Sequence, residues 1–231
     1  MLDVAIRSKA YRTAGGHSLP ALRDVRFSVA PGEFVCLTGP SGCGKTTTLK
    51  LILDLDTDFD GVIAKPQGRV AAVFQEPRLL PWRTVEENLR LALPDDLAGV
   101  DLAPLLATLG LAGTEKLYPG ELSLGMARRV GIARAFALQP ALLTLDEPFV
   151  SLDDDTAARL RRALLDVWAA RPTTALMVTH NRREAVELAD RILVMSPRPG
   201  TIIAEHRIET PRAERSPAML DETMVRLFGQ P

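Results

Sequence analysis

Gly39-Pro40-Ser41-Gly42-Cys43-Gly44-Lys45-Thr46 is the stretch from which the rest of the chain can be read. It fits the pattern G-x-x-x-x-G-K-[ST]. Ahead of it, Glu33-Phe34-Val35-Cys36-Leu37-Thr38 predicts a buried strand. Behind it, residues 46–55 predict a helix. A strand, a glycine-rich turn and a helix start make an anion cradle, because backbone N–H groups point inward and the helix dipole favours negative charge. In such a cradle Lys45 reaches the outer phosphates of a nucleotide, and the Thr46 hydroxyl holds Mg²⁺.

Working outward, strand-like segments recur over residues 3–10, 22–29, 69–74, 141–146, 174–179, 190–195 and 201–208. Segments 33–38, 141–146 and 174–179 are continuous apolar runs, as expected of parallel strands covered on both faces. The first two strands alternate and predict an antiparallel layer near the N-terminus. The last two flank Pro197-Arg198-Pro199-Gly200 and predict a hairpin. Between about 76 and 138 helical signals dominate. Thr84-Val85-Glu86-Glu87 fits a capping box, residues 102–109 form an apolar stretch closed by Gly110, and residues 124–138 form a longer one ended by Pro140. Residues 153–170 and 182–188 predict further helices, and 218–228 a short one in the tail. The fold class is therefore α/β: a P-loop NTPase core with a parallel sheet, an N-terminal antiparallel β layer and an inserted helical subdomain. The 231 residues read as one domain. Its core covers about 1–75 and 139–208, the helical subdomain about 76–138, and a C-terminal extension about 209–231.

A phosphate cradle needs an acidic partner for the metal and the water. Ala141-Leu142-Leu143-Thr144-Leu145-Asp146-Glu147-Pro148 supplies one at the carboxyl end of a strand, where ligands bind in open α/β sheets. Asp146 is placed to assist Mg²⁺ and Glu147 to polarise an attacking water.

Composition excludes other classes. Net charge is −1, from 28 basic and 29 acidic residues, so nothing draws the chain globally to nucleic acid. No apolar run approaches the ~18 residues of a membrane span. The N-terminus alternates like a strand and lacks the apolar stretch of a signal peptide, so the chain is expected in the cytosol. Two cysteines, Cys36 in a core strand and Cys43 in the loop, do not read as a disulfide framework. Cys43 is a candidate for oxidation if the loop exposes it.

Four more pieces complete a pattern: Gln75 after the strand at 69–74, Leu122-Ser123-Leu124-Gly125-Met126 opening the long helix, Ser151-Leu152-Asp153 after the acidic pair, and His180 ending the strand at 174–179. In order and spacing the set resembles the nucleotide-binding subunit of ATP-binding-cassette transporters, over about residues 11–201. The segments 74–85 and 193–201 look like the branch serving nitrate, sulfonate and taurine importers.

The resemblance implies ATP and Mg²⁺ as cofactors. It implies that Tyr11 stacks on adenine, and that Gly39, Pro40, Ser41, Gly42, Cys43, Gly44, Lys45, Thr46 and Thr47 hold the phosphates. Gln75 senses Mg²⁺ and the water, His180 contacts the γ-phosphate, and Asp153 helps join two halves of a dimer. Ser123 and Gly125 bind the γ-phosphate held by a second copy. The catalytic set implied is Glu147, His180, Lys45 and Gln75, with Thr46, Gln75 and Asp146 at the metal. The partners implied are that second copy, a membrane permease docking near 76–88 with Leu79, Leu80 and Trp82 as apolar contacts, and indirectly a periplasmic solute-binding protein; of these three residues, Leu80 reads rather as packing inside the helical insert, and Trp82 equally as either. The location implied is the cytoplasmic face of the inner membrane. The function implied is ATP hydrolysis energising uptake of a small anionic solute. Lipid transport or export is the alternative within the family, and a soluble cassette ATPase lies further off.

Leu124 departs from the family's usual glycine at that place. A leucine there cannot take glycine-only backbone angles and adds bulk near the partner copy's nucleotide; with Ser123 and Gly125 kept, binding is expected to survive, with weaker dimerisation or slower hydrolysis.

Overall fold

The computed structural model describes residues 1–13 and 15–229. In chain order the elements are β1 (Leu2–Arg12), β2 (Ser18–Val29), β3 (Phe34–Thr38), α1 (Lys45–Ile52), β4 (Asp60–Ala64), β5 (Val70–Val73), α2 (Val85–Arg90), α3 (Ala103–Thr108), α4 (Leu124–Ala137), β6 (Leu142–Asp146), α5 (Asp154–Ala170), β7 (Thr174–Thr179), α6 (Arg182–Leu188), β8 (Arg191–Met195), β9 (Ile202–Arg207) and α7 (Pro217–Phe228). The chain divides into two compact units, residues 1–66 with 174–231 and residues 67–173.

In the first unit β3 runs parallel between β7 and β8, and β9 turns back antiparallel on β8. Every residue of β3 and β7 is buried, which accounts for their continuous apolar sequences. A second, antiparallel sheet has the order β2-β1-β4. The alternation of β1 buries Leu2, Val4 and Ile6 while Asp3 and Arg7 face water.

β4 escapes the sequence reading. It is an edge strand of five residues that exposes Asp60, Val62 and Ala64, so no buried run marks it. Its Gly61 is required by packing, since a Cβ there would lie 2.3 Å from the Ala5 carbonyl oxygen.

Below β3, the Arg191 guanidinium is clamped by Glu33 at 2.7 and 3.0 Å and by Glu205 at 3.1 Å. Burial alone raises the Glu33 carboxyl, but the hydrogen bonds from Arg191 and the Ala30 amide outweigh it and hold the group below the usual carboxylate range. A carboxylate lowered in the native state stabilises the fold fully above its unfolded value of about 4.3, and the contribution is lost as pH falls through the native value. Glu33→Ala leaves a buried cation half paired and is expected to cost about 2–4 kcal/mol at pH 7. Urea unfolding at pH 7 and pH 3 measures it, and the gap between variant and parent should shrink at the lower pH.

The tail packs through arginines. Arg215 donates to the Val186 and Glu187 carbonyls at 2.9 and 3.0 Å, and Arg212 to that of Leu188, so both close the C-terminal turn of α6. The helix expected over 218–228 is α7. The last two residues of the extension expected over 209–231 lie outside the described residues.

The second unit contains the parallel pair β5-β6 and helices α2 to α5. α5 buries Ala157, Leu160, Leu164 and Val167, a stripe at helical spacing. The capping box predicted at Thr84 is present: its Oγ1 accepts from the Glu87 amide and the Glu87 carboxylate accepts from the Thr84 amide.

Candidate nucleotide site

β3 delivers the chain into the turn 39–44 from a fully buried strand, and α1 opens behind it at Lys45. Gly42 and Gly44 have φ of 75° and 113°, in the left-handed region. A Cβ on Gly44 would lie 2.4 Å from Leu22 Cδ2, whereas one on Gly42 would meet nothing within 4 Å. Gly42 is thus set by its backbone angle and Gly44 also by close packing. Such turns direct successive N–H groups to one centre, the geometry of an anion cradle. The donor set fits a nucleotide's phosphates.

Lys45 is only 5% exposed, and its Nζ donates to the Gly39 and Pro40 carbonyls at 2.9 and 3.1 Å, so the cation is held inside the loop. Tyr11 reaches the same place from β1. Its hydroxyl donates to Thr47 Oγ1 at 3.3 Å, and the Lys9 ammonium lies 4.7 Å from its ring centre.

His180 joins this group by register. Thr38 on β3 is opposite Thr179 on β7, so Gly39 and His180 leave the sheet at the same end. Thr179 donates to Glu184 at 2.7 Å and accepts from the Asn181 amide, and Asn181 caps α6. These bonds fix the backbone on both sides of His180.

In the second unit Val73 on β5 is opposite Leu145 on β6. Gln75, Asp146 and Glu147 therefore emerge together at one carboxyl end. Glu147 adopts φ 44°, an uncommon conformation for a side chain of its size. The hydroxyl of Thr46 and the carboxylate of Asp146 are hard oxygen donors of the kind Mg²⁺ takes.

Ser123 caps α4, its Oγ accepting from the Met126 amide at 3.2 Å, which leaves the hydroxyl proton to donate elsewhere. The structure removes the backbone part of the concern over Leu124. This residue is the first of α4 and has no positive φ, so no glycine angle is needed; its side chain is 51% exposed. Gly125 is the constrained position: a Cβ there would lie 2.8 Å from Thr156 Cγ2. Thr156 in turn gives its amide to the Asp153 cap of α5 at 2.9 Å. That bond holds the Asp153 carboxyl below its usual range.

Cys43 is also corrected: it is 1% exposed, so the loop does not present it to oxidants. Trp82, which could have packed inside the helical region, is instead 69% exposed. The loop beneath it is rigidly held. Asn88 donates to the Leu80, Arg83 and Thr84 carbonyls at 3.2, 3.0 and 2.9 Å and accepts from the Leu80 amide.

Three groups in these surroundings carry no sequence signal for the contact they make there. Gly200 lies against the phosphate loop. Thr156 fixes the approach to Gly125. Arg134 donates to the Pro77 and Arg78 carbonyls at 2.7 and 3.0 Å, holding the loop that follows Gln75. In each case the partner is a main-chain atom or a glycine, to which residue patterns are blind.

Comparison with known proteins supplies the context. A family model described as ABC transporter matches residues 22–150. An aliphatic-sulfonate import ATP-binding protein of Pseudomonas syringae pv. tomato is 42% identical over 94% of this chain and 93% of its own length. One of Bacillus subtilis is 42% identical over 87% and 82%. Among solved structures, the dimeric bacterial ABC transporter cassette MJ0796 aligns with TM-score 0.76 and 26% identity over 91% of this chain and all of its own. The same cassette in a post-hydrolysis dimer with ADP and Pi aligns with TM-score 0.73 and 27% identity, over the same shares.

Proposed function

The chain belongs to the ABC transporter family, and from that premise we propose that it is the ATP-hydrolysing subunit of an importer for aliphatic sulfonates. The observation that carries this reading is end-to-end similarity to sulfonate-import ATP-binding proteins. It narrows the nitrate, sulfonate or taurine branch to one solute class. No helix among the described residues is long and apolar enough to cross a membrane, so in this reading the lipid-embedded step belongs to a permease. That subunit docks near 76–88, where Trp82 stands out from a fixed loop, and receives the solute from a periplasmic binding protein. The chain then works at the cytoplasmic face of the membrane. A core of about 1–75 and 139–208, a helical subdomain of about 76–138 and a tail of about 209–231 remain the division of labour that fits it.

Two copies close around ATP. In each site residues 39–47 of one copy hold the phosphates, and Ser123 with Gly125 of the other meet the γ-phosphate from a helix start. Tyr11 supports the adenine. Thr46, Gln75 and Asp146 hold Mg²⁺, which when bound neutralises charge on the β- and γ-phosphates. Lys45 adds a fixed cation there. Glu147 accepts a proton from water as the water oxygen bonds to phosphorus and the bond from phosphorus to the β–γ bridging oxygen breaks. His180 holds the γ-phosphate and the water in line. Asp153 stands at the seam between the copies. The products are ADP and phosphate, and the barrier falls through positioning and charge stabilisation.

Proteoliposomes holding this subunit, its permease and the binding protein test the assignment. ATP-dependent uptake of ethanesulfonate, in preference to nitrate, is the expected result. Uptake of nitrate alone overturns the sulfonate assignment, and absence of ATP hydrolysis overturns the whole reading.

A further inference from the structure

Arg128 lies in α4, between the Ser123 cap and the buried middle of the helix, and is 7% exposed. Its Nη1 donates to the Pro148 carbonyl at 2.8 Å, and its Nε is buried with no hydrogen-bond partner. Among the described residues no carboxylate pairs with it. Burial accordingly pulls the guanidinium below its ordinary range.

A desolvated cation without a counter-ion works against folding, and an apolar side chain of like volume would serve packing better. Packing does not account for it, but the group it holds does. Pro148 is the residue directly after Glu147, whose φ of 44° persists only where the surroundings over-determine it. The Val150 amide closes on the Glu147 carbonyl at 3.3 Å and Phe149 is buried, so this turn is pinned downstream of Glu147. Arg128 pins it next to Glu147.

We propose that Arg128 is a positioning residue for ATP hydrolysis: its guanidinium holds the Pro148 carbonyl, fixes the turn that presents the Glu147 carboxylate, and ties that turn to the helix beginning at Ser123. The proposal rests on the reading of Glu147 as the base. It gives α4 two grips on the strand-end loops, Arg128 on the one carrying Glu147 and Arg134 on the one following Gln75. A displacement at the Ser123 end is then transmitted to both.

The test uses the full chain assembled with its permease. Arg128→Met should lower kcat about 10- to 100-fold, the scale of a small misplacement of a reacting group, with the KM for ATP within about two-fold of the parent. Arg128→Lys, which keeps the charge and one donor, should recover part of the loss. In a Glu147→Gln background, Arg128→Met should reduce residual turnover no further and should leave the ATP-dependent dimer intact. Parental turnover in Arg128→Met overturns the proposal. So does a loss of ATP affinity matching the loss of kcat, or loss of the dimer in the double variant, because either marks a merely structural role. If Arg128→Met does not fold, the kcat and KM of Arg128→Lys decide by the same criteria. Failure of the underlying reading is separate: Glu147→Gln alone would then turn over at the parental rate.

Discussion

Glu147→Gln is expected to retain ATP binding and lose about 10²- to 10⁴-fold in turnover, the range that general-base assistance contributes. The substitution keeps shape and removes only the ability to take a proton. The phosphate loop is a separate construction: Lys45 is held by the Gly39 and Pro40 carbonyls, and its glycines are fixed by their own angles and packing. With ATP bound and not consumed, two copies should accumulate as a dimer, because the γ-phosphate is what Ser123 and Gly125 of the other copy would meet. Light scattering with and without saturating ATP reads the assembly, and phosphate release reads turnover. A variant that remains monomeric in saturating ATP, or hydrolyses it at the parental rate, removes Glu147 from the role of base.

The sequence was informative where periodicity and special backbone angles leave a residue-type signature. β3 and β7 are legible because burial on both faces forces unbroken apolar runs. The phosphate loop is legible because positive φ selects glycine at 42 and 44. The capping box at Thr84 is legible because two side chains must answer two amides. β4 is silent because an edge strand of half-exposed residues needs no pattern. Leu124 misled because a substitution away from glycine suggested a strained backbone, whereas the position is an ordinary first helical residue. The demand for glycine falls instead on Gly125, and it comes from Thr156, a neighbour in space rather than in sequence. Arg128 and Arg134 are silent for a related reason: both grip carbonyls, which every residue possesses.

Gly200 is the strongest case of such a hidden constraint, and Gly200→Ala is expected to weaken ATP binding at least about 10-fold. An added Cβ would lie 2.0 Å from the Cys43 carbonyl oxygen and 2.6 Å from Met195 Cε. The methionine tip can swing away, but a main-chain oxygen inside the phosphate loop cannot move without its loop. Either the turn around residue 200 retreats or residues 39–44 do. The turn is the better anchored: the Gly200 amide donates to the Ala21 carbonyl at 2.9 Å, its carbonyl accepts from the Arg23 amide at 3.0 Å, and the Ser196 amide closes on Thr201 at 2.9 Å. In the phosphate loop the Cys43 amide closes on the Pro40 carbonyl at a longer 3.3 Å, so this peptide is the one that yields. The strain should cost about 1–3 kcal/mol of stability, the usual scale of overpacking, while the shifted Cys43 peptide spoils the phosphate cradle. Calorimetric titration with ATP and a thermal melt separate the two effects. Because the clash is with backbone, trimming Cys43 to Ala should not restore affinity, although it would if the sulfur were the obstacle. Unchanged affinity in Gly200→Ala would mean that the turn gives way first and that the hairpin end has no part in shaping the cradle.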